Sequence, residues 1–123
     1  MLKYGLIVSD FDGTLRRTEG GVSDGNARAV RDYIAAGGAF ALCTGRMASS
    51  ILPYARRLTP EGVAAAYQGA IIFDVKTGKR LRDARIPAEE AAEIAAFMQG
   101  DDRHVHVYDG DIFYANREDK YLE

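Results

Sequence analysis

The stretch Leu6–Leu15 reads LIVSDFDGTL and decides the fold of the chain. Its apolar start predicts a strand, and the polar residues begin where this strand ends. Asp10 and Asp12 are two residues apart, so in extended backbone their side chains point the same way. Two carboxylates this close together repel each other and lower the stability of the fold. A bound divalent cation or phosphoryl group would explain why both are present. We therefore predict a functional site here, with a solvated Asp-Gly turn as the simpler alternative.

A second polar stretch follows the next apolar run of the chain. Residues 39–42 read AFAL and lead directly into CTGR at 43–46, and a helix is predicted between the two motifs at 24–36. Strand, helix and strand over this length are typical of a βαβ unit with parallel strands and a right-handed crossover. Ligands of such sheets lie outside the carboxyl ends of the strands, so both motifs should meet at one site. The hydroxyl, backbone N–H and guanidinium groups of the second motif suit phosphate oxygens.

The composition excludes several classes of function. The hydrophobic fraction of 47% suffices for a packed core, and the net charge of −2 argues against a nucleic-acid binder. The single cysteine excludes an internal disulfide and fits a reducing compartment. There is no N-terminal signal pattern and no long apolar run. We expect a soluble cytoplasmic protein that binds neither nucleic acid nor a membrane.

Hydrophobic periodicity predicts an α/β fold over the first two thirds of the chain. Strands are predicted at 4–9, 39–43 and 63–67, helices at 24–36 and 47–58, and a hairpin at 70–73 and 79–81. Ser23 or Asp24 can cap the first helix. Pro53 either kinks the second helix or marks its start. The scattered arginines, including Arg16 and Arg17, are predicted to lie on a solvated surface.

A second group of elements is predicted after Ile86. Pro87 suits the first position of a helix that ends at Gly100. Alternation over 104–108 and a return strand at 112–114 predict a β-hairpin, with its turn at Asp109-Gly110.

The polar residues of this hairpin leave two interpretations open. His104 and His106 share one strand face, a spacing that suits a metal ion and is also common on a solvated face. Tyr108, Asp109 and Tyr114 could contact a leaving group, although a plain hairpin is the simpler interpretation.

The first two motifs resemble those of the haloacid dehalogenase (HAD) superfamily of phosphatases. DFDGTL at 10–15 is the first such motif, and TGR at 44–46, with YQGAII at 67–72, resembles the Cof-type branch. That branch has a large α/β cap inserted after the third strand, and it usually shows Asn-Gly-Ala where this chain has Gln68-Gly69-Ala70. The resemblance implies a partial Rossmann-like core at 1–84, with three parallel strands plus a hairpin. It implies the opening part of an α+β cap at 85–123.

The resemblance also implies roles for individual residues. It points to a Mg²⁺-dependent phosphomonoester hydrolase with Asp10 as the nucleophile that forms an aspartyl-phosphate. Asp12 would be the general acid and base, with a pKa raised toward neutrality. Mg²⁺ would bind an Asp10 carboxylate oxygen and the Asp12 carbonyl. The phosphoryl group and substrate would be held by Phe11, Gly13, Thr44, Gly45, Arg46 and Gln68.

The resemblance covers only the opening half of such an enzyme. In the family, the chain re-enters the core to add strands, a lysine and a further acidic pair, which this sequence lacks. We therefore expect an N-terminal fragment with weak or no activity alone, and self-association through the exposed sheet edge.

Three alternatives to a phosphatase remain. A phosphomutase of the same superfamily would share every residue named so far. A phospho-receiver module also uses clustered aspartates, but its phosphoacceptor ends the third strand, where this chain has Tyr67 and Gln68. A non-catalytic assembly module is the third.

For the phosphatase, family resemblance and the acidic net charge favour a small phosphorylated metabolite, such as a sugar phosphate, as the substrate.

Overall fold

The computed structural model describes residues 2–19, 21–99 and 104–118. It has the α/β fold predicted from the sequence. The chain divides between Ala84 and Arg85 into two compact units. The helices within the described ranges are all too short or too polar to cross a bilayer.

The strands of the first unit are β1 (Leu6–Ser9), β2 (Arg16–Arg17), β3 (Gly21–Val22), β4 (Ala39–Cys43), β5 (Val63–Ala66), β6 (Ile71–Asp74) and β7 (Arg80–Asp83). Five of them form one sheet with the order β1-β4-β5-β6-β7. Strands β1, β4 and β5 are parallel, β6 is antiparallel to β5, and β7 is antiparallel to β6. The short antiparallel pair β2–β3 follows the first motif and was not predicted.

Two helices connect the parallel strands. Helix α1 (Asp24–Ala35) begins after Ser23, whose side chain accepts a hydrogen bond from the Asn26 N–H at 3.2 Å, as predicted for a cap. Helix α2 (Ala48–Leu58) continues through Pro53, so this proline does not mark its start. Each helix crosses between adjacent strands, and each places small and branched apolar side chains against the sheet.

The hydrophobic core lies between these helices and one face of the sheet. Buried side chains of both helices pack in one cluster with alternate residues of β4 and β5. The members from these four elements are Ala27, Val30, Ile51, Ala55, Leu58, Phe40, Leu42, Ala64 and Ala66. Because the strand order advances in one direction from β1 to β5, right-handed crossovers place both helices on this face.

Leu42→Ala is expected to lower the free energy of unfolding by about 2–5 kcal/mol, because it removes a fully buried side chain and leaves a cavity. Urea denaturation measures the loss. The matched control is Leu81→Ala on β7, where the side chain is 57% exposed and the change should stay within about 0.5 kcal/mol. Equal losses in the two variants would contradict this placement of the core.

The opposite face of the sheet is covered by neither α1 nor α2. Leu6 and Val8 of β1 pair in register with Ala39 and Ala41 of β4 on this face. Leu6 and Val8 are 55% and 57% exposed, and Val63 of β5 is 38% exposed. Strand β1 is also the edge of the sheet within the described residues. An apolar strand is therefore accessible both along its face and along its backbone edge.

The second unit contains one helix and one hairpin. Helix α3 (Ala88–Gln99) is followed by β8 (His106–Asp109) and β9 (Ile112–Ala115), which are antiparallel. Gly100, predicted to end the helix, lies outside the described residues. Asp109 pairs with Ile112, so the turn residues are Gly110 and Asp111, one position later than predicted. Gly110 adopts a φ of 62°, which suits the first central position of a tight hairpin turn. The assignment of the two units to core and cap stays a prediction.

Candidate active site

A tight loop follows β1 and carries the two aspartates of the first motif. The Phe11 carbonyl accepts hydrogen bonds from the N–H groups of Thr14, Leu15 and Arg16 at 3.4, 3.1 and 2.8 Å. The Phe11 side chain is fully buried, and its ring centroid lies 4.7 Å from that of Tyr54. This buried ring anchors the loop to the core, while the residues on either side of it remain exposed at the carboxyl end of β1.

Arg46 reaches from the second motif to the first. Its Nε donates to Oδ2 of Asp12 at 2.7 Å, and its Nη2 donates to Oδ1 at 2.8 Å. Arg16 adds a third bond, from Nη1 to Oδ1 of Asp12 at 3.3 Å. The structure thus brings together the ends of β1 and β4, as the predicted βαβ unit requires. The fork-to-carboxylate geometry is the strong bidentate form of an ion pair.

The ion pair sets the protonation state of Asp12. Hydrogen bonds from Arg46 lower the pKa of the Asp12 carboxyl below its usual value. Partial burial opposes this shift in pKa, whereas the charge of Arg46 and the contact with Arg16 add to it. The raised pKa expected from the sequence is therefore wrong for this structure. Two guanidinium groups stabilise the charged form more than burial destabilises it.

Further contacts hold the Arg46 side chain in this position. Its Cζ lies 5.2 Å from the centroid of the Phe11 ring, a cation–π arrangement. Its Nη1 lies 3.5 Å from the Ser50 hydroxyl oxygen, one turn into α2. In this arrangement, Nε and Nη2 of Arg46 face Asp12, so they would bind a phosphate only after leaving the carboxylate.

Arg46→Gln is expected to raise the pKa of Asp12 toward its ordinary value, because it removes two hydrogen bonds and a positive charge. Carbon-13 NMR of the Asp12 carboxyl in metal-free buffer measures the pKa. Arg57→Gln is the matched control, because Arg57 pairs with Asp24 at 3.3 Å on the surface. An unchanged pKa of Asp12 in Arg46→Gln would contradict the structure.

The same variant has a pH-dependent effect on stability. Since the pKa of Asp12 is lowered in the folded chain, the pair stabilises the fold above the ordinary carboxyl pKa. This contribution is lost as the pH falls through the lowered pKa. The Asp12 side chain is 45% exposed, so screening limits the contribution to about 1 kcal/mol or less. Denaturation curves should therefore separate wild type from Arg46→Gln at neutral pH and converge in acid.

Thr44 is buried beneath Arg46. It is 1% exposed, and its hydroxyl oxygen accepts a hydrogen bond from the Arg46 N–H at 3.3 Å. Its own N–H donates to the Ala65 carbonyl of β5 at 3.0 Å. Thr44 therefore orders the backbone of the second motif, in addition to any contact that its hydroxyl makes with a ligand.

A 3₁₀ turn at Tyr67–Gly69 brings Gln68 beside this motif. The Gln68 N–H donates to the Thr44 carbonyl at 2.8 Å, and the Tyr67 N–H donates to the Arg46 carbonyl at 3.1 Å. Tyr67 and Gln68 adopt φ values of 51° and 54°, a left-handed conformation that is unfavourable for residues other than glycine. A Cβ atom at Gly45 would lie 3.4 Å from Nε2 of Gln68. The turn therefore places the Gln68 amide directly against Gly45.

Asp10 differs from Asp12 in its surroundings. Its Oδ2 accepts a long hydrogen bond of 3.4 Å from the Thr14 hydroxyl, and within the described ranges it forms no ion pair. Its carboxylate and the carbonyl of Asp12 are oxygen donors of the kind that Mg²⁺ prefers. In the part of the chain that the structure describes, no three His, Cys, Asp or Glu side chains converge on a metal position. The residues fit a cation that keeps several waters.

Arg16 is the site residue that sequence reasoning missed. The prediction that it lies on a solvated surface is wrong, because it contacts Asp12 and its Nε is buried without a hydrogen-bond partner among the described residues. Strand β2 pairs Arg16 with Val22 and turns it toward the first motif. The sequence signal was the position of Arg16 four residues after Asp12, with a glycine between them. In the structure this glycine, Gly13, has a φ of 71°.

Comparison with known families decides the assignment. A family model for haloacid dehalogenase-like hydrolases matches residues 7–123. The chain belongs to this family. The phospho-receiver alternative is thereby set aside, in agreement with the lack of an acid at the end of β5. None of the curated proteins compared with the chain matches it significantly.

Solved structures of HAD proteins share the fold. A haloacid dehalogenase-like hydrolase from B. subtilis has a TM-score of 0.84 and 24% identity, over 97% of this chain and 41% of that one. A HAD-superfamily phosphatase from Bacteroides thetaiotaomicron has a TM-score of 0.77 and 23% identity, over 94% of this chain and 42% of that one. A sugar phosphatase of HAD subclass IIB has a TM-score of 0.72 and 19% identity, over 91% of this chain and 44% of that one. The chain thus spans less than half the length of each of these HAD proteins.

Proposed function

We propose that the chain supplies the N-terminal part of a Mg²⁺-dependent phosphomonoester hydrolase that acts through an aspartyl-phosphate at Asp10. The observation that carries this proposal is the bidentate contact between Asp12 and Arg46, which joins the first two HAD motifs at the carboxyl ends of adjacent parallel strands. The family assignment and two phosphatases among the structural neighbours support the same reaction class.

The two aspartates have different roles in this proposal. Asp10 attacks phosphorus and takes the phosphoryl group, because its carboxylate is exposed and, within the described ranges, not engaged by an arginine. Asp12 protonates the leaving oxygen and later removes a proton from the attacking water. Arg46 turns from Asp12 to the incoming phosphoryl group, which releases the carboxyl that the reaction needs in its protonated form.

The remaining residues of the site bind the phosphoryl group. The Thr44 hydroxyl and the Gly45 N–H hold phosphoryl oxygens, and the Gln68 amide contacts the substrate. The N–H groups of Phe11 and Gly13 surround the transferred group. When bound by the Asp10 carboxylate and the Asp12 carbonyl, Mg²⁺ would supply positive charge that offsets the repulsion between anionic nucleophile and anionic substrate.

The substrate class has support of its own. A sugar phosphatase among the structural neighbours and the acidic balance of the chain favour a small phosphorylated metabolite, such as a sugar phosphate. A cytoplasmic location, where such metabolites are found, is part of the same proposal. A screen of phosphorylated metabolites against a longer form of the protein would identify the substrate, and a preference for phosphoproteins or nucleic acids would contradict this class.

Chemical trapping tests the aspartyl-phosphate. Turnover of a phosphate ester by an active form of the protein is stopped with borohydride, which reduces an acyl phosphate to the alcohol. Tandem mass spectrometry should then find homoserine at position 10 and unmodified aspartate at position 12. Reduction at position 12, or at neither position during turnover, would contradict the assignment. A mutase would form the same intermediate, but it would release little inorganic phosphate.

A further inference from the structure

The two histidines of the chain lie together in the second unit. His106 begins β8 and His104 precedes it by two residues, and the sequence contains no other histidine. Their Nε2 atoms are 2.5 Å apart. The rings meet edge to face, with centroids 4.4 Å apart and an interplanar angle of 76°. Both residues are half-buried, so the pair faces neither open solvent nor a closed core.

Neighbouring aromatic side chains orient the His106 ring. Its Nδ1 lies 3.3 Å from the Tyr108 hydroxyl, which belongs to the same face of β8. The ring of Phe113, on the partner strand, lies 5.2 Å from it between centroids. In the tautomer with the proton on Nδ1, this nitrogen donates to the tyrosine oxygen, and the Nε2 lone pair of His106 points toward His104. This outer contact is the kind that fixes the tautomer of a metal-binding histidine.

We propose that His104 and His106 bind one divalent transition-metal ion through their two Nε2 atoms. In the metal-free chain, two facing nitrogen lone pairs repel each other, so one Nε2 must carry a proton. A metal ion replaces this proton, which moves to the Nδ1 of the same ring or, from an imidazolium, to solvent. The two nitrogens take the place of waters of the hydrated ion, and these waters leave to solvent.

The required movement is small. At metal–nitrogen distances of about 2.0–2.1 Å and a tetrahedral angle, two bound nitrogens lie about 3.3 Å apart. The two Nε2 atoms therefore have to separate by less than about 1 Å, which side-chain torsions can supply without moving the strand. His104 lies two residues before the first residue of β8, and alternate side chains of extended backbone point the same way.

The ligand atoms select the metal. Imidazole nitrogens favour Zn²⁺, Ni²⁺ and Cu²⁺, whereas Mg²⁺ favours oxygen. Within the described residues no third acidic, cysteine or histidine side chain joins the pair. The site is distinct in chemistry from the oxygen donors at Asp10. It does not depend on the phosphatase proposal.

Zinc titration of the ¹⁵N-labelled 123-residue chain tests the proposal, with excess Mg²⁺ present to occupy oxygen sites. Because the chain has only two histidines, every imidazole signal belongs to this pair. The Nε2 signals of both rings should shift together and saturate at one equivalent of Zn²⁺. Signals that stay in place while zinc binds elsewhere, or rings that saturate independently at two equivalents, would overturn the proposal.

Variants separate this site from the carboxylates. His104→Gln and His106→Gln should each remove the one-equivalent binding measured by competition with a zinc dye. Tyr108→Phe should weaken it by about 10–100-fold, the usual effect of losing an outer hydrogen bond to a ligand. Asp10→Asn should leave it unchanged. If Tyr108→Phe and both histidine variants kept the zinc affinity of the wild-type chain, with unchanged circular dichroism, the assignment would be contradicted. Loss only in Asp10→Asn would place the zinc at the carboxylate site.

Discussion

Asp10→Asn is expected to reduce Mg²⁺-dependent phosphoryl transfer to background in any active form of this protein. An amide cannot act as the carboxylate nucleophile, and it also loses the negative charge that would bind the metal. The backbone should be unaffected, because among the described residues the Asp10 side chain makes only one long hydrogen bond, to the Thr14 hydroxyl. Hydrolysis of an aryl phosphate, followed with and without Mg²⁺, measures the loss.

Two further variants make this result specific. Asp12→Asn should lower turnover by about 10²–10⁴, the usual contribution of a general acid and base, while Mg²⁺ binding is nearly retained through the backbone carbonyl. Asp32→Asn, on the exposed surface of α1, changes the charge equally and should have no effect. Near-normal turnover in Asp10→Asn, or equal loss of Mg²⁺ binding in the Asp10 and Asp12 variants, would contradict the proposed roles.

The 123-residue chain alone is expected to hydrolyse phosphate esters at close to the background rate. It spans 41% of the B. subtilis HAD protein and 44% of the sugar phosphatase. By family resemblance, a lysine and a further acid would complete the charge around the phosphoryl group. Loss of one such electrostatic contact typically costs about 10²–10³ in rate, and the loss of two costs correspondingly more. The measurement is Mg²⁺-dependent hydrolysis by the purified chain.

The mass of the chain in solution is the companion measurement. The exposed apolar residues of β1, whose edge is unpaired within the described residues, should make the isolated chain self-associate. The matched variant replaces Val8 with lysine, a charge on the exposed face that should favour the monomer. A monomeric wild-type chain with turnover of roughly 1–10³ s⁻¹ would show that its site is complete by itself.

Much of the fold could be predicted because its signals are local. The β4 boundaries, the Ser23 cap and the hairpin in the second unit all follow from periodicity and capping chemistry in short windows of sequence. The β2–β3 pair was missed because strands of two residues are too short to show a hydrophobic periodicity. The left-handed pair Tyr67 and Gln68 was missed because their conformation depends on hydrogen bonds to the second motif.

The site was predicted in composition but not in its electrostatics. Parallel strand ends explain why Asp12 and Arg46 meet across 34 residues. The direction of the pKa shift of Asp12 could not be predicted, since it depends on a bidentate geometry and on Arg16. Both contacts involve the loop after β1, in which three N–H groups bond to the Phe11 carbonyl. In this loop Arg16, interpreted from the sequence as a surface charge, is a residue of the site.

The bare face and edge of β1 have a consequence for synthesis of the protein. Among the described strands β1 is synthesised before the others of its sheet, and its apolar side chains are covered by neither α1 nor α2. We expect a first unit that folds during translation to expose this apolar strand to neighbouring nascent chains.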